Sequence, residues 1–388
     1  MKKLFLIPIL ILINQLVFSQ DTVTIRSPAP VLMPGMTAPL TANQEPLKLQ
    51  AGRLGNIYVS GVVSGLLQAQ SSVFTGDKEF QSDVSNAQVF VHKTDGLIQF
   101  FLHFGGYSIP AIGVPYFRSI KEMDAYYGIL PQGYLKIAPS KNFSILAGKL
   151  PTLIGAEYTF SFENMNIQRG LLWNQENAVN RGVQLNYATG PLTLAISYND
   201  CFYSKKYTWL WASASYAINS NNTIALIGGG NTKITDVATS ATPLYQNNQQ
   251  IYNLIYTHTS GTWTIMPYLQ FTKVPNSTKI GTTQDASTSS AALFVKYGVP
   301  NSGFNIPVRL EYISSTGSAI GGAPNLLYGQ GSKAWSFTIT PTYQYKQFFG
   351  RTEVSYVEAN KIISGAAFGP NGNNKNQARL LIEVGLLF

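Results

Sequence analysis

The sequence predicts an all-β fold: a transmembrane antiparallel β-barrel of about sixteen strands, preceded by a short disordered N-terminal arm. The last eleven residues, 378–388, alternate so that one face is wholly apolar and the other carries charges. Such a strand suits a wall between lipid and water. Hydrophobic residues make up 45% of the chain and charged residues only 12%, about half the charge usual in soluble domains. Short and long connections also alternate along the chain, as in membrane-spanning barrels.

Residues 1–19 are predicted to be a secretory signal peptide. Lys2 and Lys3 form its positive end, and residues 4–17 are almost wholly apolar. This run is too short for a lasting transmembrane helix, although a retained anchor is the alternative. Residues 20–50 contain five prolines, which would interrupt a strand ladder, so we interpret them as a flexible, proline-rich periplasmic arm. The barrel is then predicted to occupy residues 51–388.

Sixteen segments have the character of strands. They are 55–68, 85–92, 97–107, 131–139, 143–149, 181–188, 191–200, 206–217, 222–232, 249–258, 262–273, 288–297, 303–313, 334–343, 347–358 and 378–388. In 262–273, for example, Trp263 and Leu269 share one face, and Thr264 and Gln270 share the other. An unpaired strand edge is costly in hydrocarbon, so the sheet must close, and we expect 55–68 to pair with 378–388.

The connections predict which way the barrel faces. Seven short ones, most of them rich in Gly, Asn, Pro or Ser, have the composition of tight turns. They are 93–96, 140–142, 189–190, 218–221, 259–261, 298–302 and 344–346. Longer connections alternate with them, apart from the brief 201–205. By the rule for outer-membrane barrels, the short turns and both chain ends are periplasmic and the long loops are external.

Composition also argues against several other classes of protein. The single cysteine, Cys201, excludes an internal disulfide and a multi-cysteine metal site. Removing Lys2 and Lys3 would lower the formal net charge from +9 to about +7, but the basic residues form no block, so no nucleic-acid partner is predicted. Three scattered histidines predict no metal site. His103 is the one candidate for a catalytic base and has no identifiable partner, so neither an enzyme nor a cofactor is expected.

Four stretches resemble the bacterial outer-membrane porin superfamily, and more narrowly the β-barrel porins of the Bacteroidetes type, the porin-2 group. They are Ala147–Pro151, Gly155–Glu157, Arg181–Leu185 and the terminal Phe388. The resemblance covers about residues 50–388. It implies an outer-membrane location and passive diffusion of small hydrophilic solutes through a water-filled barrel. The alternative is a plugged or scaffolding barrel subunit of a larger outer-membrane complex for secretion, adhesion or nutrient uptake.

The resemblance also implies partners. Outer-membrane lipid would surround the barrel, and the barrel-assembly machinery would read Phe388 as an assembly signal. A homotrimer is one assembly that we consider.

The longest connection, 150–180, follows the fifth predicted strand. In the sixteen-stranded porins that this chain resembles, that loop folds inward and narrows the pore. By this resemblance, the charged residues of the loop and its flank are candidates for a constriction: Glu157, Glu163, Arg169, Glu176 and Arg181. The alternative is an ordinary external loop with solvated charges.

Charged residues also occur within predicted strands. Three pairs each share one strand face, namely Arg309 with Glu311, Arg351 with Glu353, and Arg379 with Glu383. At membrane depth, charges are tolerated only towards the water-filled side. We therefore predict these six, with His103, as pore-lining residues. The alternative is an ion-pair network that stiffens the wall. Because the signs are mixed and the chain is net basic, we expect weak selectivity with a mild lean towards anions.

Overall fold

The computed structural model describes residues 39–318 and 321–388. The predicted signal peptide, 1–19, and most of the predicted arm lie outside the described residues. Within the described part, the chain forms one antiparallel sheet with short helical turns in its loops. No helix in these residues is long and apolar enough to cross a membrane.

The sheet contains eighteen described strands. They are β1 Leu47–Gln50, β2 Asn56–Gln70, β3 Phe80–Lys93, β4 Ile98–Tyr107, β5 Gln132–Ile137, β6 Phe143–Pro151, β7 Val179–Thr189, β8 Leu192–Asn199, β9 Trp209–Asn219, β10 Asn222–Asn231, β11 Gln250–Ser260, β12 Trp263–Val274, β13 Ala286–Gly298, β14 Phe304–Ser315, β15 Lys333–Ile339, β16 Thr342–Tyr345, β17 Phe348–Asn360 and β18 Asn376–Leu387.

These eighteen segments amount to sixteen barrel strands, which form a closed barrel. β15 and β16 are two halves of one strand, since both pair with β14 on one side and β17 on the other. The break falls at Pro341, which has no backbone N–H to donate. β1 pairs with the start of β2 and adds no further wall. β18 pairs with β2, with Leu381 opposite Gln68, and closes the barrel. The predicted strand number and closure are confirmed.

All sixteen predicted segments form strands, with two local differences. β3 begins at Phe80, five residues before the predicted start, because the register shifts at Ser85 and interrupts the alternation. Leu47–Gln50, predicted as part of the flexible arm, instead forms β1. That part of the arm prediction is wrong, since an exposed edge at the start of β2 offers it backbone partners.

Outside and inside differ as the alternation predicts. On β18, Leu380, Ile382 and Val384 are exposed by 44%, 42% and 59%, whereas Arg379 and Glu383 on the other face are exposed by 3% and 0%. The outer wall is therefore apolar and the interior polar, the arrangement of a barrel in lipid.

The helices are short and lie in the loops. They are α1 Ser119–Glu122, a π-helical turn Met123–Tyr127, and 3-10 turns at Gly52–Leu54, Ser161–Glu163, Trp173–Gln175, Gln246–Asn248 and Thr278–Ile280. The connection from β4 to β5 carries the first two. We call the connection from β6 to β7, residues 152–178, the inner segment, because it lies inside the barrel.

Candidate functional site

The inner segment crosses the inside of the barrel. Every residue from 159 to 172 is buried. Its contacts come from strands far apart around the wall: Asn86 of β3 donates to Ser161 at 2.9 Å, and Gln270 of β12 donates to the Leu172 carbonyl at 2.9 Å. A loop held from opposite sides of a closed sheet must occupy the lumen.

Arg309 and Glu311 of β14 anchor the middle of the inner segment. Arg309 Nη1 donates to Glu157 Oε1 at 2.6 Å and to the Gln168 carbonyl at 2.7 Å, and its Nε lies 3.1 Å from Glu311 Oε2. A Cβ on Gly170 would lie 2.0 Å from Glu311 Oε1. Only glycine therefore lets the chain pass so close to this carboxylate.

Arg351 and Glu353 of β17 hold residues 164–168 of the same segment. Glu353 accepts hydrogen bonds from the backbone amides of Ile167 at 2.5 Å and Gln168 at 3.1 Å. Arg351 pairs with Glu383 of β18 and donates to the Asn164 carbonyl at 3.2 Å. Charge-assisted bonds to backbone groups of this kind are among the stronger hydrogen bonds in proteins.

Arg379 of β18 joins the inner segment to the connection between β4 and β5. Its Nη1 donates to the Ala111 carbonyl at 2.8 Å and to Gln168 Oε1 at 2.9 Å, and its Nη2 donates to the Val114 carbonyl at 2.5 Å. The two connections also pair directly, with Ile112 N 2.9 Å from the Arg169 carbonyl.

The remaining glutamates of the inner segment are buried with polar partners. Glu163 accepts from the Phe160 amide at 2.9 Å, and Glu176 accepts from the Tyr268 hydroxyl at 2.7 Å. Burial raises the pKa of each carboxyl to about 8. On α1, burial likewise raises the pKa of Glu122 to about 8. These three groups lie in loops, outside the spanning strands, and change charge in the neutral to mildly basic range.

The six strand charges predicted to line the pore all point inward. None is exposed by more than 5%, because each contacts the inner segment or another of the six. His103 also points inward but packs between Phe90 and Phe160, with ring centroids 4.7 and 4.5 Å away. The six charged residues thus anchor the inner segment in this structure. A role for them or for His103 in contacting solute stays a prediction.

Glu157, Glu163, Arg169 and Glu176 come together inside the barrel, but Arg181 does not join them. Arg181 shares the outward face of β7 with Val183, which is 46% exposed. Its side chain pairs with Asp200 at 2.6 Å and lies 4.0 Å from the Tyr203 ring. Its assignment to the constriction is wrong, since period 2 places residue 181 on the same face of β7 as the exposed Val183 and Leu185.

Sequence reasoning missed Gln168, Asn164 and Glu122 as parts of this site. Gln168 and Asn164 take part through backbone carbonyls, and Gln168 also through its side-chain amide. Every residue has the first group and many polar residues have the second, so neither marks a site in the sequence. Glu122 lies in the connection from β4 to β5, which was predicted as an external loop. Its unusual length was the available signal. Within residues 39–318 and 321–388, no cluster of His, Cys, Asp and Glu is arranged to hold a metal ion.

Comparisons with known proteins agree with this architecture. An anion-selective porin from Comamonas acidovorans superposes with a TM-score of 0.60 at 12% identity, over 86% of this chain and 99% of that one. OmpT of Vibrio cholerae superposes with a TM-score of 0.58 at 11% identity, over 89% and 100%. At these identities the likeness shows a shared fold. No curated protein sequence matches the chain.

A family model covers the whole barrel. The model described as "Putative beta-barrel porin-2, OmpL-like" matches residues 56–388, the span from the first barrel strand to the C-terminal residue. The chain therefore belongs to the OmpL-like porin-2 family of outer-membrane β-barrel porins.

Proposed function

We propose that this porin lets small hydrophilic solutes diffuse passively across the outer membrane through a lumen narrowed by the inner segment. The observation that carries the proposal is the segment itself, held inside a closed barrel by Arg309, Arg351 and Glu353. Family membership and fold support a channel rather than an enzyme.

Selection would depend on size and on fixed charge. Hydroxyls of Ser213, Ser215 and Ser290 and the amide of Gln68 face inward without a protein partner among the described residues. These atoms are buried in the structure, so they can hydrogen-bond to water or to a solute only where the lumen opens beside them. In a narrow lumen of low dielectric, each fixed charge acts more strongly than in bulk water. Solutes would thus meet a polar path with a local electric field.

A plugged barrel is the second candidate function, and one observation favours it. The unbroken burial of residues 159–172 leaves no side chain of that stretch open to solvent. In this alternative, a partner or stimulus would have to shift the inner segment before solutes could pass.

Single-channel conductance in planar bilayers separates the two functions. We expect the unmodified porin to conduct. Glu353→Gln removes the carboxylate that holds the Ile167 and Gln168 amides, so it should raise conductance or open time. Asp285→Asn, which removes an exposed ion pair with Lys273 and keeps an oxygen to accept from the Asn276 amide, is the matched control. Conduction by the variant alone would favour the plugged barrel, and silence of every form would overturn passive diffusion.

Two finer assignments belong to this proposal. Phe388 would be read by the barrel-assembly machinery, supported by its place at the end of the closing strand. A homotrimer would use part of the apolar outer wall, and cross-linking of the purified porin in native membranes tests it. A dominant monomer after cross-linking would contradict the trimer.

A further inference from the structure

The chain just before β1 turns back into the barrel. We call residues 39–42 the mouth segment. Leu40 is only 2% exposed, whereas all four residues of β1 are exposed. Leu40 belongs to a buried apolar cluster that includes Val62 of β2, Phe349 of β17 and Leu387 of β18. Because removing an apolar side chain from water is favourable, this contact holds the mouth segment in place.

The cluster places Leu40 inside the lumen, near one end of it. Phe349 shares a face of β17 with Arg351, and Leu387 shares a face of β18 with Glu383, so both apolar side chains point inward. Phe349 is the second residue of β17, and Leu387 is the last residue of β18. Both lie beside the short turn between β16 and β17, on the side predicted to be periplasmic. The mouth segment therefore enters the barrel from that side.

Gln344 fastens the mouth segment to the same end of the barrel. It shares the inward face of β16 with Thr342, which is fully buried. The Gln344 side-chain amide accepts from the Thr41 backbone N–H at 2.8 Å and donates to the Thr41 carbonyl at 2.8 Å. One side chain thus pairs both backbone groups of one residue, as a neighbouring strand would. Both hydrogen bonds are exposed, so each adds only modestly to the docking.

The mouth segment also meets the packing of the inner segment. Phe160 and Phe162 of the inner segment belong to the same apolar cluster as Leu40. The ring of Phe162 lies 5.9 Å, between centroids, from that of Phe90 on β3. Two separate pieces of chain, one from the β6–β7 connection and one from the N-terminal side of β1, therefore share one cluster inside the barrel.

We propose that the mouth segment forms a second constriction of the lumen, at the periplasmic mouth, and that Leu40 and Gln344 keep it docked there. The constriction deepens the proposed channel function and rests on it, whereas the docking can be tested without conduction. One buried side chain and two exposed hydrogen bonds are a small anchor. The segment can therefore leave and re-enter the mouth while the barrel stays folded.

Thiol labelling of the detergent-solubilised full-length porin tests the docking. The native Cys201 is fully buried, so introduced cysteines give the signal. Leu40→Cys should react with a maleimide at least about tenfold more slowly than Gln44→Cys, at an exposed position of the same arm, because it reacts only when the segment leaves. Adding Gln344→Leu should speed the labelling of Leu40→Cys, whereas adding Gln347→Leu, exposed in the same turn, should not. Equal rates for Leu40→Cys and Gln44→Cys would overturn the docking.

Single-channel conductance tests the constriction. Gln344→Leu should raise conductance, and so should Leu40→Asp, which places a charge in the apolar cluster. Gln347→Leu and Leu40→Met, which keep the anchor, should not. Equal conductance of all these forms, with Leu40→Cys still slow to label, would overturn the constriction and leave passive diffusion standing. If every form is silent, passive diffusion fails instead, and slow labelling of Leu40→Cys still supports a segment docked in the mouth.

Discussion

Arg309 shows how this barrel accommodates buried charge. It touches Glu157 and Glu311 and also donates to a backbone carbonyl, so each of its charged neighbours depends on it. Burying such a group is tolerated only when its partners are in place. The same residue therefore stabilises the wall and holds the inner segment.

Replacing Arg309 should expose this dependence. Arg309→Gln leaves Glu157 and Glu311 buried without their cation, so we expect the free energy of unfolding to fall by about 3–5 kcal/mol. Urea titration of the refolded barrel in detergent measures it. The double variant Arg309→Gln with Glu157→Gln should lose less than the sum of the two single variants. Strict additivity would mean that the two groups are not coupled.

Glu122 should make the stability of the barrel depend on pH. Burial raises its pKa in the folded protein from the usual 4.5 to about 8. Between these values the folded state holds a proton that the unfolded state releases, so stability falls as pH rises through about 4.5 to 8. We expect Glu122→Gln to reduce the loss of thermal stability between pH 5 and pH 8.5, measured by heat-modifiable migration in gels. Asp124→Asn, at an exposed neighbour, should keep the full loss of thermal stability. If Glu122→Gln also kept the full loss, Glu122 would not be the source of the pH dependence.

At the scale of elements, the strands follow from local alternation. On β12, Trp263 and Leu269 face outward while Thr264 and Gln270 are buried, as the period of 2 predicts. The structure differs from the prediction at a register shift, as at Ser85, and at Leu47–Gln50. Both depend on a partner strand rather than on the residues themselves.

The closing strand offers a direct test of assembly. Phe388 and Gly61 exchange two backbone hydrogen bonds of 2.7 and 2.9 Å, and a Cβ on Gly61 would lie 2.4 Å from the Phe388 ring. Deleting Phe388 should therefore reduce membrane-inserted, heat-modifiable barrel. Gly61→Val should act in the same direction, because its side chain would collide with the ring. Phe388→Tyr keeps the ring and serves as the control. Normal barrel levels after the deletion would contradict this role.

For the whole molecule, the alternation of connections predicts sidedness. Cys201 is the only cysteine in the sequence and is fully buried, so introduced cysteines report cleanly. In intact cells a membrane-impermeant thiol reagent should label Ser240→Cys, in the long connection after β10, and should spare Lys141→Cys, in the short turn after β5. Labelling of Lys141→Cys alone would invert the topology.

The charges around the inner segment predict a pH-dependent selectivity. Four arginines lie there, Arg169, Arg309, Arg351 and Arg379, with seven glutamates, Glu122, Glu157, Glu163, Glu176, Glu311, Glu353 and Glu383. Burial raises the pKa of Glu157 to about 7 and the pKa of Glu122, Glu163 and Glu176 to about 8. Negative charge therefore accumulates beside the four arginines as pH rises from 6 to 9. The mild lean towards anions, expected from the net charge of the chain, should weaken over this range.

Reversal potentials under a salt gradient measure the effect. We expect the preference to shift towards cations between pH 6 and pH 9, with a smaller shift at high salt because screening shortens the reach of the field. Glu176→Gln should reduce the shift, with Asp285→Asn as the exposed control. A constant reversal potential across this range would show that the buried carboxyls do not act on the permeating ions.

The residues of the site differ in whether the sequence could predict their direction and their contacts. That Arg309, Arg351 and Glu383 point inward was predictable, because a charge at membrane depth has one tolerable direction. That Glu353 binds the amides of Ile167 and Gln168 was not, because backbone donors leave no mark in a sequence. Arg181 was placed wrongly since the phase of the alternation along β7, not the charge of the residue, decides its direction.

Alternation, connection lengths and low charge by themselves determined the barrel, its sixteen strands and the strands that close it. Hydrocarbon requires every backbone group to be paired and one face of each strand to be apolar. These requirements act on residues that are neighbours in the chain, so they appear as local patterns in the sequence. Only the tertiary structure decided that the lumen charges are buried and that two connections meet inside. Those outcomes depend on how a loop packs against strands more than a hundred residues away, and no local pattern encodes that packing.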